Sequence, residues 1–343
     1  MSDFIKIEPL DTLFFRTAKP FDAGKDSWSD SNFLPNPSVI WGAMFSVLYN
    51  EYGLTKTEDE EKLEIKNIYL YKIENKVMRL YLPAPLDIFI DDNGKNHIGK
   101  IIEVDFLSNY PLDYISIVNK DDIKPAENRF IEVINLLKNY KKGYDFSLKK
   151  EEDFFTKNYK IGIKIDSNTK TSQDNYLYRI DMTEFKKDCG FIVEYNLNHD
   201  KDFDNGILKF GGESKSAIYK KISEHNPITK RLKKIAELRD KKIKSKYIKL
   251  YFKTPTYLDD WRLAIKGLKL LSANIGKYIS IGGWDMKKRE PKVMKKYIPA
   301  GSVYVFEVLD NNIDLKRSIA KKIKKDLKGF NLYEILEMES IDE

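Results

Sequence analysis

The stretch PLDTLFFRTAKPFDAG, residues 9–24, organises the first part of this chain. It follows residues 4–8, where apolar and polar side chains alternate as they do in a half-buried strand. The proline and glycine residues of the stretch favour a loop over a helix or a strand. Arg16 and Lys19 are therefore predicted to lie in a loop between a strand and the next element, where they can contact an anionic ligand.

The next element is predicted to be a helix. Asn36 can cap it, Pro37 suits its first position and Gly53 suits its end. Apolar side chains between these signals cover more than one face, so we expect the helix to pack on a sheet. The pair Asn226-Pro227 repeats the start signal before a strongly basic stretch.

Strands are predicted over much of the remaining chain. Residues 65–73 and 77–82 flank a short turn and predict a hairpin. Three further strand candidates cover residues 159–165, 176–182 and 191–197.

The C-terminal part begins with YIKLYFK, residues 247–253, which alternates strictly. Its apolar side chains share one face, whereas Lys249 and Lys253 share the other, so a half-buried strand with solvated lysines is predicted. A further helix is predicted to run from Asp314 towards Gly329.

Strands on both sides of one or two helices, without regular β–α alternation, indicate an α+β fold with antiparallel sheets. The weak likeness of FIKI near the start to YIKL in the second part allows two copies of a ferredoxin-like (RRM-like) unit. We therefore predict domains at 1–205 and 206–343, the second preceded by the Gly-rich, basic connecting segment 206–246. Residues 54–64 and 166–175 are predicted to be inserted loops.

Composition bounds the class of protein. The 343 residues are 42% hydrophobic, which is enough for packed cores, and no apolar run is long enough to span a bilayer. The N-terminus lacks the pattern of a signal peptide, and the one cysteine, Cys189, has no partner for an internal disulfide. We therefore expect a cytoplasmic protein in which Cys189 is a small buried residue rather than a nucleophile.

Charge is unevenly distributed within the net value of +7. Residues 1–150 carry 20 Lys and Arg against 24 Asp and Glu, whereas residues 215–253 carry 14 basic and 3 acidic residues. The basic block predicts a polyanionic partner, with nucleic acid favoured. The alternative is a chain that uses lysine on every solvated face.

Signatures of catalysis are mostly absent. His97, His199 and His225 are scattered, and none has a second ligand at the spacing of a zinc site. No nucleotide-binding fingerprint occurs. We expect no cofactor and no catalytic residue.

A first glycine-basic loop lies in KFGGESKSA, residues 209–217. Gly211 and Gly212 let the backbone turn sharply and bring its N–H groups close to a ligand. Ser214 and Lys215 are predicted to stand at a helix start, where phosphate binding is favoured. A plain tight turn is the alternative.

A second glycine-basic segment begins at Gly282, Gly283 and Trp284 and continues through a lysine-rich run. A glycine pair, an aromatic ring and many cations suit single-stranded nucleic acid, since bases stack on the ring and cations contact phosphates. The alternative is that Trp284 belongs to a core and the lysines cover a hairpin tip.

Three motifs now stand in order: PLDTLFFRTAKPFDAG with NPSVIWGAMFSVL, then KFGGESKSA, then IGGWD followed by PK and YIPAGSVYVFE. In this order and spacing they resemble the Cas5-like RAMP-superfamily subunits of type III-B CRISPR effector complexes, the Cmr3 family of the Cmr module. The resemblance extends from Ile5 to about Glu307, and the chain beyond residue 310 departs from the pattern.

The resemblance implies two ferredoxin-like domains and a non-catalytic, RNA-binding role in antiviral defence. Such subunits hold the repeat-derived 5′ tag of the CRISPR RNA (crRNA) and contact the large polymerase-like subunit and the first backbone subunit of a hetero-oligomeric complex. The residues that the resemblance implies for RNA binding are Arg16, Lys19, Gly211, Gly212, Ser214, Lys215, Gly282, Gly283, Trp284 and Lys292.

Two other functions remain open at this point. A metal-independent CRISPR-repeat endoribonuclease would need a general acid or base, and His225, Tyr219 or Lys215 would have to serve. A purely structural scaffold subunit would use its lysines only for solubility.

Overall fold

A computed structural model describes residues 2–17, 28–29, 31–105, 111–165, 168–224, 226–239, 243, 245–285, 290–310 and 313–341. The strands in chain order are β1 (Asp3–Pro9), β2 (Trp28–Ser29), β3 (Leu63–Glu74), β4 (Val77–Pro83), β5 (Ile88–Ile90), β6 (Asn96–Ile98), β7 (Lys100–Glu103), β8 (Tyr114–Ile117), β9 (Lys124–Pro125), β10 (Arg129–Glu132), β11 (Leu148–Lys150), β12 (Phe155–Ile165), β13 (Ser172–Phe185), β14 (Cys189–Leu197), β15 (Asn205–Lys209), β16 (Ser216–Lys221), β17 (Tyr247–Phe252), β18 (Leu268–Asn274), β19 (Ile279–Ile281), β20 (Trp284–Asp285), β21 (Glu290–Pro291), β22 (Lys295–Tyr297), β23 (Val303–Val308) and β24 (Tyr333–Met338). The helices are α1 (Pro37–Tyr52), α2 (Val133–Lys138), α3 (Pro227–Arg239) and α4 (Leu315–Lys322).

The chain divides into two compact units, each assembled from three separate segments. Unit 1 comprises Met1–Val77, Glu151–Ile222 and Ile281–Met294, and unit 2 comprises the rest. The units therefore interleave along the chain, and the contiguous domains 1–205 and 206–343 stay a prediction. The fold is mixed α/β with mostly antiparallel sheets. The predicted arrangement of strands on both sides of one or two helices indicated such a fold.

The main sheet of unit 1 runs in the order β3-β14-β1-β16-β15, and every neighbouring pair is antiparallel. Alternation in β1 places Ile5 and Ile7 fully in the core, opposite Val193 and Phe191 of β14. The strands predicted at 65–73 and 191–197 are thereby confirmed as β3 and β14. After β3, Asn75 and Lys76 adopt positive φ in the predicted turn.

Helix α1 packs on this sheet through two apolar sides, as predicted. Trp41, Met44 and Phe45 are buried, and the Trp41 indole donates a hydrogen bond to the Leu63 carbonyl at 3.0 Å. Gly53 ends the helix in the left-handed region, with φ 70°. The predicted side-chain cap is wrong, because the residue before Pro37 makes no capping hydrogen bond with its side chain.

A second sheet of unit 1 is the long antiparallel pair β12–β13, which β2 joins in parallel. Leu13 lies against its base, since the backbone groups of Leu13 and Thr183 exchange hydrogen bonds of 2.7 and 2.8 Å. The loop after β1 is thus held between two sheets of the same unit.

Unit 2 contains a four-stranded antiparallel sheet in the order β18-β23-β17-β24. Leu250, Phe252 and Phe306 form its core together with Ile319 of α4. A second group of strands has the order β11-β10-β4, and smaller pairs complete the unit. No helix in the described part of the chain is long and apolar enough to cross a membrane.

The predicted solvent face of β17 is wrong. Lys249 and Lys253 are only 5% and 8% exposed, because β17 is a central strand covered on both faces. The Lys249 ammonium lies 2.6 Å from the Asp87 carboxylate, and the Lys253 ammonium lies 3.3 Å from Glu334. Buried lysines need such partners, and the partners come from distant parts of the chain.

The last predicted helix is present but shorter than expected. Asp314 caps α4 by accepting the backbone N–H of Arg317 at 3.0 Å, as its position suggests. Ile323 is extended and buried, so the helix stops before residues that return to the sheet. Gly329 and Asn331 then adopt positive φ in the following turn, which excludes the predicted continuation of the helix to Gly329.

Candidate nucleic-acid interface

The loop of the first motif is fixed by backbone contacts within unit 1. Ser31 accepts a hydrogen bond from the Phe15 backbone N–H at 3.0 Å, and Asn32 donates to the Phe15 carbonyl at 2.8 Å. Arg16 forms a β-bridge with Ser31, and its side chain is exposed. Arg16 therefore extends from an anchored backbone rather than from a free loop.

The glycine pair lies in the loop that connects β15 to β16, directly beside the first motif. The Gly212 N–H donates to the Phe14 carbonyl at 2.9 Å, and the Phe15 and Phe210 rings meet edge to face at 5.5 Å. Because residues 216–221 form a strand, the predicted helix start at Ser214 is wrong.

Glycine is required here by sterics. Gly211 has a φ of +83°, and a Cβ at this position would lie 2.8 Å from the Phe14 carbonyl oxygen. A Cβ at Gly212 would lie 2.8 Å from the Phe14 ring. The two loops approach each other as closely as they do because neither residue has a side chain.

Lys215 does not extend freely into solvent. Its ammonium forms an ion pair with Asp11 of the first motif, and the hydrogen bond from Lys215 lowers the pKa of the Asp11 carboxyl. Ser214 adopts positive φ and is exposed, and the neighbouring Glu213 pairs with Lys160 at 2.8 Å. Charged contacts thus fix the second half of the loop.

A cavity of about 920 Å³ lies between these loops and α1. The two loops contribute Phe14, Phe15, Arg16, Lys209, Gly211 and Gly212 to its walls. The facing side of α1 contributes Gly42, Ser46 and Asn50 together with the apolar Val39, Ala43 and Val47. The structure therefore brings the first and second motifs together around one cavity.

The cavity carries charges of both signs. Arg16 and Lys209 line it, and so does Glu51. The Tyr219 hydroxyl donates to the Glu51 carboxylate at 2.9 Å, and burial raises the pKa of Tyr219. One oxygen of the carboxylate is therefore occupied, whereas both cations lie at the exposed rim.

Sequence reasoning missed several polar residues of this cavity, among them Lys209, Ser46 and Asn50. Lys209 begins the glycine motif, so its position in the motif was a usable signal. Ser46 and Asn50 are four residues apart and share one side of α1, and only the packing of the helix reveals which side faces the loops.

The third motif forms a small hairpin of its own. The Lys292 N–H donates to the Gly283 carbonyl at 2.9 Å, and β20 pairs with β21. Lys292 is exposed, and a Cβ at Gly282 would lie 3.1 Å from Met294. The contacts described for these residues lie within the hairpin rather than at the cavity.

Two predicted RNA-binding residues cannot be assigned to a surface. Lys19 lies outside the described residues, and so does the side chain of Trp284. Whether Trp284 belongs to a core or stacks on a base stays a prediction.

Comparison with known proteins identifies relatives of the whole chain. Residues 5–338 match the family described as CRISPR-associated protein (Cas_Cmr3). A relative from Saccharolobus solfataricus, the CRISPR system CMR subunit Cmr3, is 25% identical over 344 residues, which cover 94% of this chain and 88% of the relative.

Two solved structures share the fold. They are cryo-EM structures of the Type III-B Cmr-beta bound to cognate target RNA, one of them also with AMPPnP. The matching chains are 20% and 17% identical to this one, and each alignment has a TM-score of 0.51 and covers 88% of this chain and 86% of the other.

These matches and the mixed α/β fold define the class of protein: a CRISPR-associated protein built from mostly antiparallel sheets. Within that class the chain belongs to the Cmr3 family, since the family match extends over nearly all of it. The resemblance that the three motifs indicated is confirmed.

Proposed function

We propose that this protein is the subunit of a cytoplasmic type III-B Cmr effector complex that holds the repeat-derived 5′ tag of the crRNA in the cavity of unit 1. The observation that carries the proposal is the convergence of the Arg16 loop and the Gly211-Gly212 loop on one cavity beside α1. Membership of the Cmr3 family supports the same assignment.

The chemistry of the cavity suits a short single strand. Arg16 and Lys209 can neutralise phosphates at the rim, while Ser46 and Asn50 can form hydrogen bonds with bases. The small residues on α1 and the glycine pair allow the RNA backbone to approach closely. Lys215 has a different role in this proposal, because it holds the glycine loop through Asp11.

The proposed role is binding without catalysis. A ribonuclease of this fold would need a free general acid or base. Lys215 is paired with Asp11, the Tyr219 hydroxyl donates to Glu51, and His225 lies outside the described residues. The described geometry thus favours capture of the tag over cleavage of the repeat.

We infer further that each unit contains a ferredoxin-like motif. In unit 1, the four strands lie side by side in the order β3-β14-β1-β16. When they are numbered along the chain, this order is 2-3-1-4, and α1 follows the first of them. In unit 2, strands β17, β18, β23 and β24 repeat that order, and α4 precedes the last strand. A β-α-β-β-α-β unit gives this arrangement when one of its helices is lost.

The two ferredoxin-like arrangements bear on the proposed domain boundary. The first ferredoxin-like arrangement would close with β16 and the second would open with β17, which supports a proposed boundary within the connecting segment 206–246. The large polymerase-like subunit and the first backbone subunit are the proposed protein partners, and the assembly is hetero-oligomeric.

A binding titration tests the proposed function. Labelled RNA with the repeat-derived 5′ tag and a scrambled RNA of equal length are titrated with the full chain at several salt concentrations. Specific capture predicts a preference for the tagged RNA that survives rising salt, because base contacts add to phosphate contacts. Equal binding that disappears with salt would leave only a basic surface and favour the scaffold role.

A further inference from the structure

A second cavity lies entirely within unit 2, and the proposed tag site does not use it. Its volume is about 1160 Å³, which exceeds the roughly 300–1,000 Å³ of small-molecule pockets. Its walls come from the β5–β6 hairpin with the segment after it, from residues 140–150 and from the end of β24, together with residues 118–120, Arg129 and Lys249. A cavity of this size suits a segment of a polymer rather than one small molecule.

The lining of this cavity is strongly cationic. Seven Lys and Arg side chains line it, against the two carboxylates of Asp145 and Glu339. Within the described part of the chain, Lys95, Arg129 and Lys142 have no acidic partner at ion-pair distance. Gathering unneutralised cations around one cavity is electrostatically unfavourable unless an anion occupies it, so the charge indicates a polyanionic ligand.

The floor of the cavity is rigid and electrically neutral. The Asp87 carboxylate accepts hydrogen bonds from the Tyr140 hydroxyl at 2.7 Å and from the Lys249 ammonium at 2.6 Å. All three side chains are buried, and the Lys249 ammonium lies 4.6 Å from the centre of the Tyr140 ring. This buried cluster therefore holds the base of the cavity in place, and a ligand would contact the exposed cations that line the cavity above it.

The wall also presents an aromatic ring. Tyr144 is 59% exposed, and the Lys142 ammonium lies 5.7 Å from the centre of its ring. Gly143 turns the chain between them with a φ of +69°. An exposed ring beside a cation is the arrangement on which a base stacks while its phosphate is neutralised, and an acidic peptide gains nothing comparable from it.

We propose that this cavity is a second binding site for single-stranded RNA, separate from the tag site in unit 1. Phosphates contact Lys95, Arg129 and Lys142, and one base stacks on Tyr144. The proposal does not rest on the tag site, because it uses other residues of the other unit. The RNA is either a further part of the strand that carries the tag or a separate strand.

The test uses labelled oligouridylate of twelve nucleotides and the full chain. The variant Lys95→Gln/Lys142→Gln removes two cations of the cavity, and Lys76→Gln/Lys321→Gln removes the same charge from exposed positions outside it. We expect the cavity variant to lower the affinity about tenfold relative to this control and to reduce the salt slope by about 1.4, since each phosphate contact contributes about 0.7 for single strands. Tyr144→Ala lowers the affinity about fivefold or more through lost stacking, and Tyr144→Phe restores it.

The proposal is overturned if the cavity variant binds oligouridylate with the affinity and salt slope of its control. It is also overturned if Tyr144→Ala has no effect on RNA while oligoglutamate loses affinity in the cavity variant, because the cavity would then bind an acidic protein segment. A tag RNA extended by a uridine tail distinguishes the two sources of RNA. If the tail improves affinity and the cavity variant removes the improvement, one strand occupies both sites; if only added oligouridylate is affected, the second strand is separate.

Discussion

The backbone N–H of Gly212 donates a hydrogen bond of 2.9 Å to the carbonyl of Phe14, and this contact joins two motifs that lie almost 200 residues apart in the sequence. It depends on the pairing of β1 with β16, which places the end of one strand beside the start of the other. The cavity beside α1 exists because these two loops meet.

Replacement of Gly211 by alanine tests the close approach of the loops. The residue has a φ of +83°, and a Cβ would lie 2.8 Å from the Phe14 carbonyl oxygen. We expect Gly211→Ala to destabilise the protein by about 1–3 kcal/mol and to lower the affinity for tag RNA severalfold. Gly53→Ala is the control, because Gly53 has a φ of +70° but open space around its Cβ, and it lines neither cavity. Similar loss of tag affinity in both variants would count against the close approach as the cause.

The Asp11–Lys215 pair makes a prediction about pH. The hydrogen bond from Lys215 lowers the pKa of Asp11 below its usual 3.8, so the folded state holds the charged carboxylate more strongly than the unfolded state does. The stabilisation is therefore fully present above pH 3.8 and is lost as the pH falls through the lower folded pKa. Urea unfolding of the wild type and Asp11→Asn should differ by a constant amount at neutral pH, and the difference should shrink in acid. A difference that grows in acid has the wrong sign for this pair.

The buried Lys249 predicts a large loss of stability. Lys249→Met leaves the Asp87 carboxylate buried without its ammonium partner, and breaking such a pair costs about 3–5 kcal/mol. Lys76→Met, at an exposed position, should change the free energy of unfolding by less than about 0.5 kcal/mol. Urea denaturation measures both. A loss below about 1 kcal/mol for Lys249→Met would show that the pair is not closed in solution.

Cys189 should be inert in the native protein. The side chain is 2% exposed, and burial raises the pKa of its thiol to about 11. Because the thiolate is the reactive form, we expect iodoacetamide to modify it slowly at pH 8 in the native protein and rapidly in urea. Equal rates in both states would contradict the buried environment.

Local signals in the sequence were sufficient for some elements. Helix α1 follows from Pro37 and Gly53, because a proline start and a left-handed end depend only on neighbouring backbone. The glycine pair was likewise recognised as a loop. The contact of that loop with Phe14 could not be predicted from local sequence, because it results from strand pairing across most of unit 1.

Burial of charged residues could not be predicted from alternation alone. Lys249 alternates with apolar residues as a solvated lysine does, yet its partner Asp87 is 162 positions away. Lys215 was predicted to face a ligand, and its partner Asp11 is 204 positions away. A sequence pattern shows which face of a strand a residue shares, whereas the tertiary fold decides what covers that face.

The most direct test of the tag site is the affinity for tag RNA of Gly42→Leu compared with Gly42→Ala. Gly42 lines the cavity from α1, and no atom beyond its chain neighbours and the backbone of its own helix turn lies within 4 Å of a Cβ at this position, so both variants should fold and gain helix propensity. The leucine side chain extends into the cavity, whereas the alanine methyl leaves it open. We predict that Gly42→Leu binds tag RNA at least about tenfold more weakly than Gly42→Ala, with equal or greater thermal stability. Equal affinity in the two variants would contradict the assignment of this cavity as the tag site.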